Sequence, residues 1–195
     1  MSTMTMAKSE LILGGQKSGK SRRAELLARQ WLDQSGTHRA VLIATAQPWD
    51  EEMRQRIARH QADRAQRVPG MATVEEPLAL AEAIQTHSRV DTLVAVDCLT
   101  LWLTNRLMPL DFEEKVPPAP VDSAPTASLL IAIARAPGPV VLVGNEIGLG
   151  VIPLGREVRA FVDALGRLNQ DVAAACQRVT LMAAGLPLTL SLIHI

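Results

Sequence analysis

The segment from Gly14 to Ser21 constrains this 195-residue chain more than any other part of it. It reads G-G-Q-K-S-G-K-S and fits the phosphate-loop pattern G-x-x-x-x-G-K-S. A short apolar run, residues 10–13, precedes it, and a helical pattern from Ser21 to about Asp33 follows it. Glycines in such a loop let backbone N–H groups point at phosphate oxygens, and the following helix N-terminus adds positive charge. A chance glycine turn is the alternative, but it leaves the flanking strand and helix unexplained.

The phosphate-loop pattern assigns roles to individual side chains. Lys20 is expected to reach the β- and γ-phosphates of a nucleotide, which makes it a catalytic residue. The hydroxyl of Ser21 is expected to bind Mg²⁺. Nucleotide contacts are predicted for the whole loop, which consists of Gly14, Gly15, Gln16, Lys17, Ser18, Gly19, Lys20 and Ser21.

Strand-like and helical patterns alternate along the rest of the chain. Strands are predicted at 40–46, 91–97, 140–143, 179–183 and 188–192, with a short extended piece at 73–77 and a turn at 185–187. Helices are predicted at about 51–68, 78–86, 99–107, 126–135 and 156–177, and a proline-rich surface loop at 111–125. This alternation predicts an α/β fold, a mostly parallel sheet with helices on both faces. The phosphate loop, Thr45, Asp97 and Asn145 then lie along one edge.

Composition narrows the possible functions and the domain organisation. The formal net charge is zero and aromatic residues make up 3% of the chain, which argues against a nucleic-acid-binding surface. No apolar run is long enough to predict a membrane span. Cys98 and Cys176 lie in largely apolar stretches, which predicts buried free thiols and a cytoplasmic protein. We expect one catalytic domain at 10–190, a disordered leader at 1–9 and a tail at 191–195.

Asp97 ends the apolar run at 91–97. An apolar strand that delivers an Asp towards the nucleotide's Mg²⁺ is the Walker B pattern, so Asp97 is a second predicted Mg²⁺ ligand. The signal is weak alone because many apolar runs end in Asp, and it gains weight downstream of a phosphate loop. An N-cap for the helix that starts near Leu99 is the alternative role.

Six segments together resemble one enzyme family. They read G-G-x-x-S-G-K-S-R, I-A-T-A, E-M-x-x-R-I-x-x-H, T-V-E-E-P, N-E-I-G-x-G-V-I-P and R-L-N-Q, in that order. They resemble the bifunctional adenosylcobinamide kinase / adenosylcobinamide-phosphate guanylyltransferases of cobalamin biosynthesis, over roughly residues 10–190. The phosphate loop alone is generic, whereas the His60 and Asn145 segments make the match specific. The resemblance implies a RecA-like P-loop NTPase fold and assembly into homo-oligomers.

The same resemblance implies two reactions. Adenosylcobinamide is phosphorylated with ATP or GTP at its aminopropanol hydroxyl. GMP is then transferred from GTP to that phosphate through a GMP–histidine intermediate, and His60 matches the family's histidine. The resemblance also implies nucleotide contacts beyond the phosphate loop, at Ala44, Thr45, Ala46, Gln61, Ala62, Asp63, Arg64, Glu75 and Asp97.

The residues alone leave alternatives open. A single helical histidine such as His60 is usually structural or solvated, although an imidazole can attack an α-phosphorus and expel pyrophosphate. The arginines near it, Arg56, Arg59 and Arg64, can steady phosphate charge or form a solvated basic helix face. Glu75 can accept hydrogen bonds from ribose hydroxyls or be an exposed loop acid.

Other functions also remain open at this point. Asn145 and Glu146 can contact substrate or shape their loop, and either Asp97 or Glu146 can serve as the general base of a kinase step. A small-molecule kinase without guanylyl transfer is the main competing function. A nucleotide switch is another, although the N-K-x-D segment with which signalling GTPases read guanine is not found in the sequence.

Overall fold

The computed structural model describes residues 6–108, 123–151 and 153–190. Strands and helices alternate along these residues, as the sequence predicts. In chain order they are β1 (Ser9–Gly14), α1 (Lys20–Gln34), β2 (Arg39–Ala44), α2 (Glu51–Arg67), β3 (Ala72–Glu75), α3 (Leu80–His87), β4 (Thr92–Asp97), α4 (Leu99–Leu107), α5 (Ala124–Arg135), β5 (Val140–Val143), α6 (Arg156–Ala175), β6 (Arg178–Ala183) and β7 (Leu186–Leu190).

The strands form one sheet in the order β3-β2-β4-β5-β1-β6-β7. Every pair is parallel except β6 and β7, which form an antiparallel hairpin at one edge. Strand β5 lies between β1, which leads into the phosphate loop, and β4, which ends at Asp97. This confirms the predicted α/β class and the RecA-like arrangement of a P-loop sheet.

The core is split between the two faces of the sheet because side chains alternate along each strand. Leu11 and Leu13 of β1 pack on one face with α3, α4, α5 and α6. Ile12 of β1 packs on the other face with residues of α1 such as Leu27. Helices therefore cover both faces, and the carboxyl ends of the parallel strands share one edge, where the phosphate loop lies.

Several predicted boundaries differ from the observed ones. Strand β2 ends at Ala44, so Thr45 and Ala46 follow it instead of ending it. The turn predicted at 185–187 lies one residue earlier, at Ala184 and Gly185, both of which have positive φ. Pro187 belongs to β7, where an edge strand tolerates its missing N–H. Val158, expected on the buried side of α6, is 51% exposed, as the whole first turn of the helix is exposed.

The chain ends and the proline-rich segment are only partly described. The leader predicted at 1–9 is too long, because Ser9 pairs with Val140 in the sheet and Met6 packs against the core. The predicted surface loop at 111–125 falls largely on residues 109–122, which lie outside the described residues, as do 191–195. Helix α5 begins at Ala124 with Pro125 in its first turn, a position that proline favours.

Helix α2 differs from the other helices in being almost entirely polar and exposed. Asp50 caps it as predicted, since its Oδ1 accepts a hydrogen bond from the Met53 backbone nitrogen at 2.7 Å. Arg64 is its buried residue. Within the described ranges, the helices are all too short or too polar to cross a bilayer.

Candidate active site

The backbone of the phosphate loop requires glycine at two positions. Gly14 has a φ of +151°, and a Cβ there would lie 2.5 Å from the Met182 carbonyl oxygen and 2.6 Å from the Ser18 hydroxyl oxygen. Gly19 has a φ of +102° and lies immediately before α1. The Gly185 backbone nitrogen donates to the Ser18 carbonyl oxygen at 3.0 Å, so the β6–β7 turn supports the loop from outside. The first-turn amides of α1 have no partner within the helix, so the end of α1 at this loop can attract an anion.

Lys20 lies inside this curl and is 7% exposed. Its ammonium donates a hydrogen bond to the Gly15 carbonyl oxygen at 2.6 Å. Burial lowers the pKa of Lys20, and the charge of Arg56 lowers it further, while Cys98 and Asp97 act in the opposite direction. The lysine is therefore held within the loop. The charges that act on its pKa come from the end of β4 and from helix α2.

Ser21 and Asp97, the two predicted Mg²⁺ ligands, carry oxygen atoms of the kind that Mg²⁺ prefers. Within the described ranges, the Ser21 hydroxyl and the Asp97 carboxylate have no hydrogen-bond partner, and no cluster of three His, Cys, Asp or Glu residues is found. Mg²⁺ in nucleotide sites uses one or two protein oxygens together with phosphates and water, so this sparse donor set fits it. The alternative role of Asp97 is not supported, because Cys98 is the N-cap of α4.

Thr45 is fully buried at the carboxyl end of β2, and its polar groups are all bonded within the protein. Its hydroxyl donates to the Cys98 carbonyl oxygen at 2.7 Å and accepts from the Cys98 nitrogen at 2.9 Å. Its backbone nitrogen donates to the Asp97 carbonyl oxygen, and its carbonyl oxygen accepts from Asn105 Nδ2 at 2.7 Å. Thr45 thus fixes the backbone after Asp97, while its half-exposed neighbours Ala44 and Ala46 remain accessible.

The loop after β5 is tied directly to the phosphate loop. The Glu146 backbone nitrogen donates to the Gly14 carbonyl oxygen at 3.1 Å. The Asn145 nitrogen donates to Thr100 Oγ1 at 2.9 Å, and the Asn145 carbonyl oxygen accepts from Asn169 Nδ2 at 3.1 Å. Thr100 and Asn169 were not singled out from the sequence. Asn169 belongs to the R-L-N-Q segment. An asparagine on the apolar face of a predicted helix is the sequence feature that could have indicated its structural role.

Helix α2 carries His60 between two arginines, Arg56 and Arg64. Arg56, one turn before His60, contributes to the lowered pKa of Lys20. Arg64, one turn after it, is buried and donates from Nη2 to Thr73 Oγ1 at 3.2 Å. Burial lowers the pKa of Arg64, against the opposing charges of Glu25 and Asp97. Because positions four apart share a helix face, His60 lies on the same face of α2 as Arg56 and Arg64. His60 itself is exposed.

The remaining residues implied by the resemblance lie around this helix. Gln61 Nε2 donates to Glu75 Oε1 at 3.4 Å, which brings two predicted nucleotide contacts together at the end of β3. Asp63 pairs with Arg67 at 3.1 Å, and Ala62 is exposed. Arg59 is exposed as well, on another side of the helix. Of these residues, the structure therefore brings Gln61 and Glu75 together at the end of β3.

Both cysteines are buried and free, as predicted. Burial raises the pKa of each thiol to about 12. Their chemistry is therefore that of small apolar side chains.

Comparison with known proteins identifies the family of the chain. The family described as cobinamide kinase / cobinamide phosphate guanyltransferase (CobU) matches residues 10–190. The bifunctional adenosylcobalamin biosynthesis protein CobP of Pseudomonas aeruginosa is 47% identical over 181 residues, which cover 93% of this chain and 96% of that protein. The bifunctional adenosylcobalamin biosynthesis protein CobU of Escherichia coli K12 is 36% identical over 184 residues, which cover 90% and 96%.

A more distant likeness exists among solved structures. The flagellar accessory protein FlaH of Methanocaldococcus jannaschii overlaps with a TM-score of 0.45 at 10% identity, over 90% of this chain and 71% of that one. The family match, in contrast, spans the phosphate loop, Asp97, the His60 helix and the Asn145 loop. The chain therefore belongs to the family of cobinamide kinases / cobinamide phosphate guanyltransferases.

Proposed function

We propose that the protein carries out both family reactions on adenosylcobinamide, with His60 as the covalent carrier of GMP. In the first reaction, ATP or GTP phosphorylates the aminopropanol hydroxyl of adenosylcobinamide. In the second, GMP passes from GTP to His60 and then to adenosylcobinamide phosphate, which gives adenosylcobinamide-GDP. The observation that supports this proposal is the position of His60 on α2, one helical turn from Arg56 and one turn from Arg64, which is buried and bonded to Thr73 of β3.

In the kinase reaction, the chain mainly positions the nucleotide and neutralises charge. The loop amides hold the β- and γ-phosphates, and the Lys20 ammonium stabilises the charge that develops on the transferred group. Ser21 and Asp97 would hold Mg²⁺, which when bound neutralises charge on the phosphates. Asp97 or Glu146 accepts the proton of the attacking hydroxyl. Asp97 is also assigned to Mg²⁺, and Oε1 of Glu146 accepts from the Gly148 nitrogen at 3.0 Å, so both candidates are kept.

In the guanylyl transfer, one displacement is divided into two. A ring nitrogen of neutral His60 attacks the α-phosphorus of GTP, an N–P bond forms, and the bond to the pyrophosphate oxygen breaks. A phosphate oxygen of adenosylcobinamide phosphate then attacks the same phosphorus and displaces the imidazole, which is returned unchanged. Arg56 and Arg64 flank the ring by one helical turn and would stabilise the negative charge in both steps.

Nucleotide contacts outside the phosphate loop form the second part of the proposal. Gln61 and Glu75 share a hydrogen bond beside the end of β3, where Glu75 can accept from ribose hydroxyls. Ala44, Ala46, Ala62 and Asp63 would contribute packing and backbone contacts at the same edge. The Thr45 hydroxyl is already bonded to the Cys98 backbone, so Thr45 would hold the neighbouring backbone in place and not bind the nucleotide through its side chain.

Two assays with differently labelled GTP test the proposal. Label in the γ-phosphate should reach adenosylcobinamide with the wild type and with His60→Ala. Label in the α-phosphate should reach adenosylcobinamide phosphate with the wild type alone. Loss of both transfers in a folded His60→Ala protein would contradict the division of roles. Transfer of γ-label with no transfer of α-label by the wild type would favour the kinase-only alternative.

Assembly and location complete the proposal. We place the protein in the cytoplasm, where its two buried free thiols remain reduced. We also expect a homo-oligomer. Leu186 and Leu188 of the edge strand β7 are 71% and 58% exposed, and another copy of the chain would cover them. Light scattering on the purified protein measures the subunit number, and a monomer at all concentrations would contradict this expectation.

A further inference from the structure

A cavity of about 650 Å³ lies between the loop after β5 and the outward face of α6. This volume is in the range of small-molecule sites, about 300–1,000 Å³. It opens to solvent on one side, and the family reactions described above do not assign it a ligand. Ile147 and Gly148 line it on the loop side, and Val162, Gly166 and Arg167 line it on the helix side.

The loop that lines the cavity is bonded to the phosphate loop at Gly14. Ile147 follows directly after Glu146, whose backbone nitrogen is bonded to the Gly14 carbonyl oxygen at 3.1 Å. At the other end of the loop, Arg159 of α6 donates from Nη1 to the Pro153 carbonyl oxygen at 3.0 Å. Both ends of the loop are therefore held, one by the phosphate loop and the other by α6, and a ligand in the cavity lies next to the phosphate loop.

The lining is amphipathic and has no net charge. Ile147 and Val162 provide apolar surface, while two arginines and two aspartates, Arg159, Arg167, Asp163 and Asp171, cancel in formal charge. Arg167 has neither an ion pair nor a hydrogen-bond partner among the described residues. A second nucleotide would require net positive charge here, whereas a ligand with an apolar ring and peripheral amides matches both the apolar wall and the mixed donors and acceptors.

We propose that this cavity holds the corrin ring of cobinamide in both reactions, with the phosphate-accepting arm directed past Glu146 towards the phosphate loop. Cobinamide is a macrocycle bearing amide side chains, so one face of the ring contacts Ile147 and Val162. Its amides exchange hydrogen bonds with Arg167 and the neighbouring aspartates. This inference rests on the proposed function, because it assigns a position to the acceptor of those reactions.

Gly166 allows a direct test. A Cβ at this α6 position would meet nothing within 4 Å, and Gly166 lines the cavity, so a larger side chain there is expected to occupy the cavity. Replacing a helical glycine also stabilises the helix, and Gly166→Phe should therefore fold. Ala174→Phe is the matched control, because Ala174 is an exposed residue of the same helix that does not line the cavity. Arg167→Gln removes the guanidinium without filling the space.

Three measurements are made on each variant: the KM for cobinamide in the kinase reaction, equilibrium dialysis of cobinamide, and GMP labelling of the protein by GTP alone. Gly166→Phe should raise the KM and the dissociation constant at least about tenfold, which corresponds to about 1.4 kcal/mol. Arg167→Gln should raise them by a smaller factor. GMP labelling needs no acceptor and should stay at the wild-type rate in all three variants.

The outcomes separate this inference from the proposed function. Normal GMP labelling together with unchanged cobinamide binding in Gly166→Phe would overturn the cavity assignment and leave the proposed function intact. An equal loss of cobinamide binding in Ala174→Phe would also overturn it. Absence of GMP labelling in the wild type would instead contradict the proposed function, while the dialysis result would still decide where cobinamide binds.

Discussion

The guanidinium of Arg67, at the end of α2, donates a hydrogen bond to the Glu25 carboxylate of α1 at 2.9 Å. This hydrogen bond raises the pKa of Arg67. Helix α1 begins at the phosphate loop, and α2 carries His60 two turns before Arg67. Because α2 is otherwise largely exposed, the contact with buried Glu25 is a main attachment between the two parts of the site.

Glu25→Gln should therefore slow the formation of the GMP adduct. The substitution weakens the contact with Arg67 and removes the negative charge that supports Arg64, so the orientation of His60 is less well defined. Misplacement of a reacting group costs roughly ten- to a hundredfold in rate, and we expect a decrease of about tenfold. Nucleotide affinity of the phosphate loop should change little. Asp33→Asn on the same helix is the control, since the Arg29–Asp33 pair is exposed; equal rates in the two variants would refute the role of Glu25.

A second prediction concerns the buried ion pair between Arg23 and Glu10. Their side chains are 8% and 2% exposed, and the Glu10 carboxylate also accepts from Thr180 Oγ1 at 2.8 Å. Arg23→Met should lower the free energy of unfolding by about 3 kcal/mol, because it leaves a buried carboxylate without its main partner. Arg29→Met, which breaks an exposed pair, should cost less than about 1 kcal/mol. Urea unfolding measures the free energy of unfolding of both variants. A similar decrease in the two would contradict the prediction that the buried ion pair contributes more than the exposed one.

A third prediction concerns Thr45. It distinguishes a structural role of the Thr45 side chain from a direct contact with the nucleotide. Thr45→Val preserves the shape of the side chain but leaves the Cys98 N–H and carbonyl groups without their partner. We expect a loss of about 1–3 kcal/mol in the free energy of unfolding. Thr45→Ser keeps the hydroxyl and should remain close to the wild type. Denaturant titration of the two variants makes the comparison. A stable Thr45→Val protein that has lost GTP binding would instead assign Thr45 to the nucleotide.

The cysteines give a prediction about pH. Burial raises the pKa of Cys98 and Cys176 to about 12, above the ordinary value of 9.0. The folded state therefore favours the neutral thiols. Their contribution to stability is fully present below pH 9 and is lost as the pH rises towards about 12.

At pH 8 a thiol reagent should label the native protein only as fast as it unfolds, and both thiols should react at once in urea. Rapid labelling of native protein would contradict the assigned burial.

Much of the fold could be predicted from the sequence because its elements are local. Helix α4 at 99–107 and strand β5 at 140–143 have the predicted bounds, since apolar runs and flanking breakers define them. Strand β7 was displaced by two residues because Pro187 suggests a turn, whereas an edge position tolerates it. The exposure of Val158 was missed because helical periodicity indicates a face but not how far the sheet extends beneath it.

The site was less predictable because its arrangement depends on contacts between distant segments. The phosphate loop and Asp97 follow from local patterns at strand ends. That Thr45 bonds to Cys98, and that Asn169 holds Asn145, depends on which strands and helices are neighbours. Arg64 lies on a polar helix, where nothing in its spacing distinguishes it from exposed Arg56 and Arg59. These residues are identified only after the sheet order is known.

The central claim is that His60 carries GMP, and mass spectrometry of the intact protein after incubation with GTP tests it most directly. The wild type should gain the mass of one GMP, and the adduct should be lost in acid and retained in base, as expected for a phosphorus–nitrogen bond. His87→Ala, the control at a histidine of α3, should gain the same mass, and His60→Ala should gain none. A GMP adduct of undiminished yield on folded His60→Ala would contradict the account.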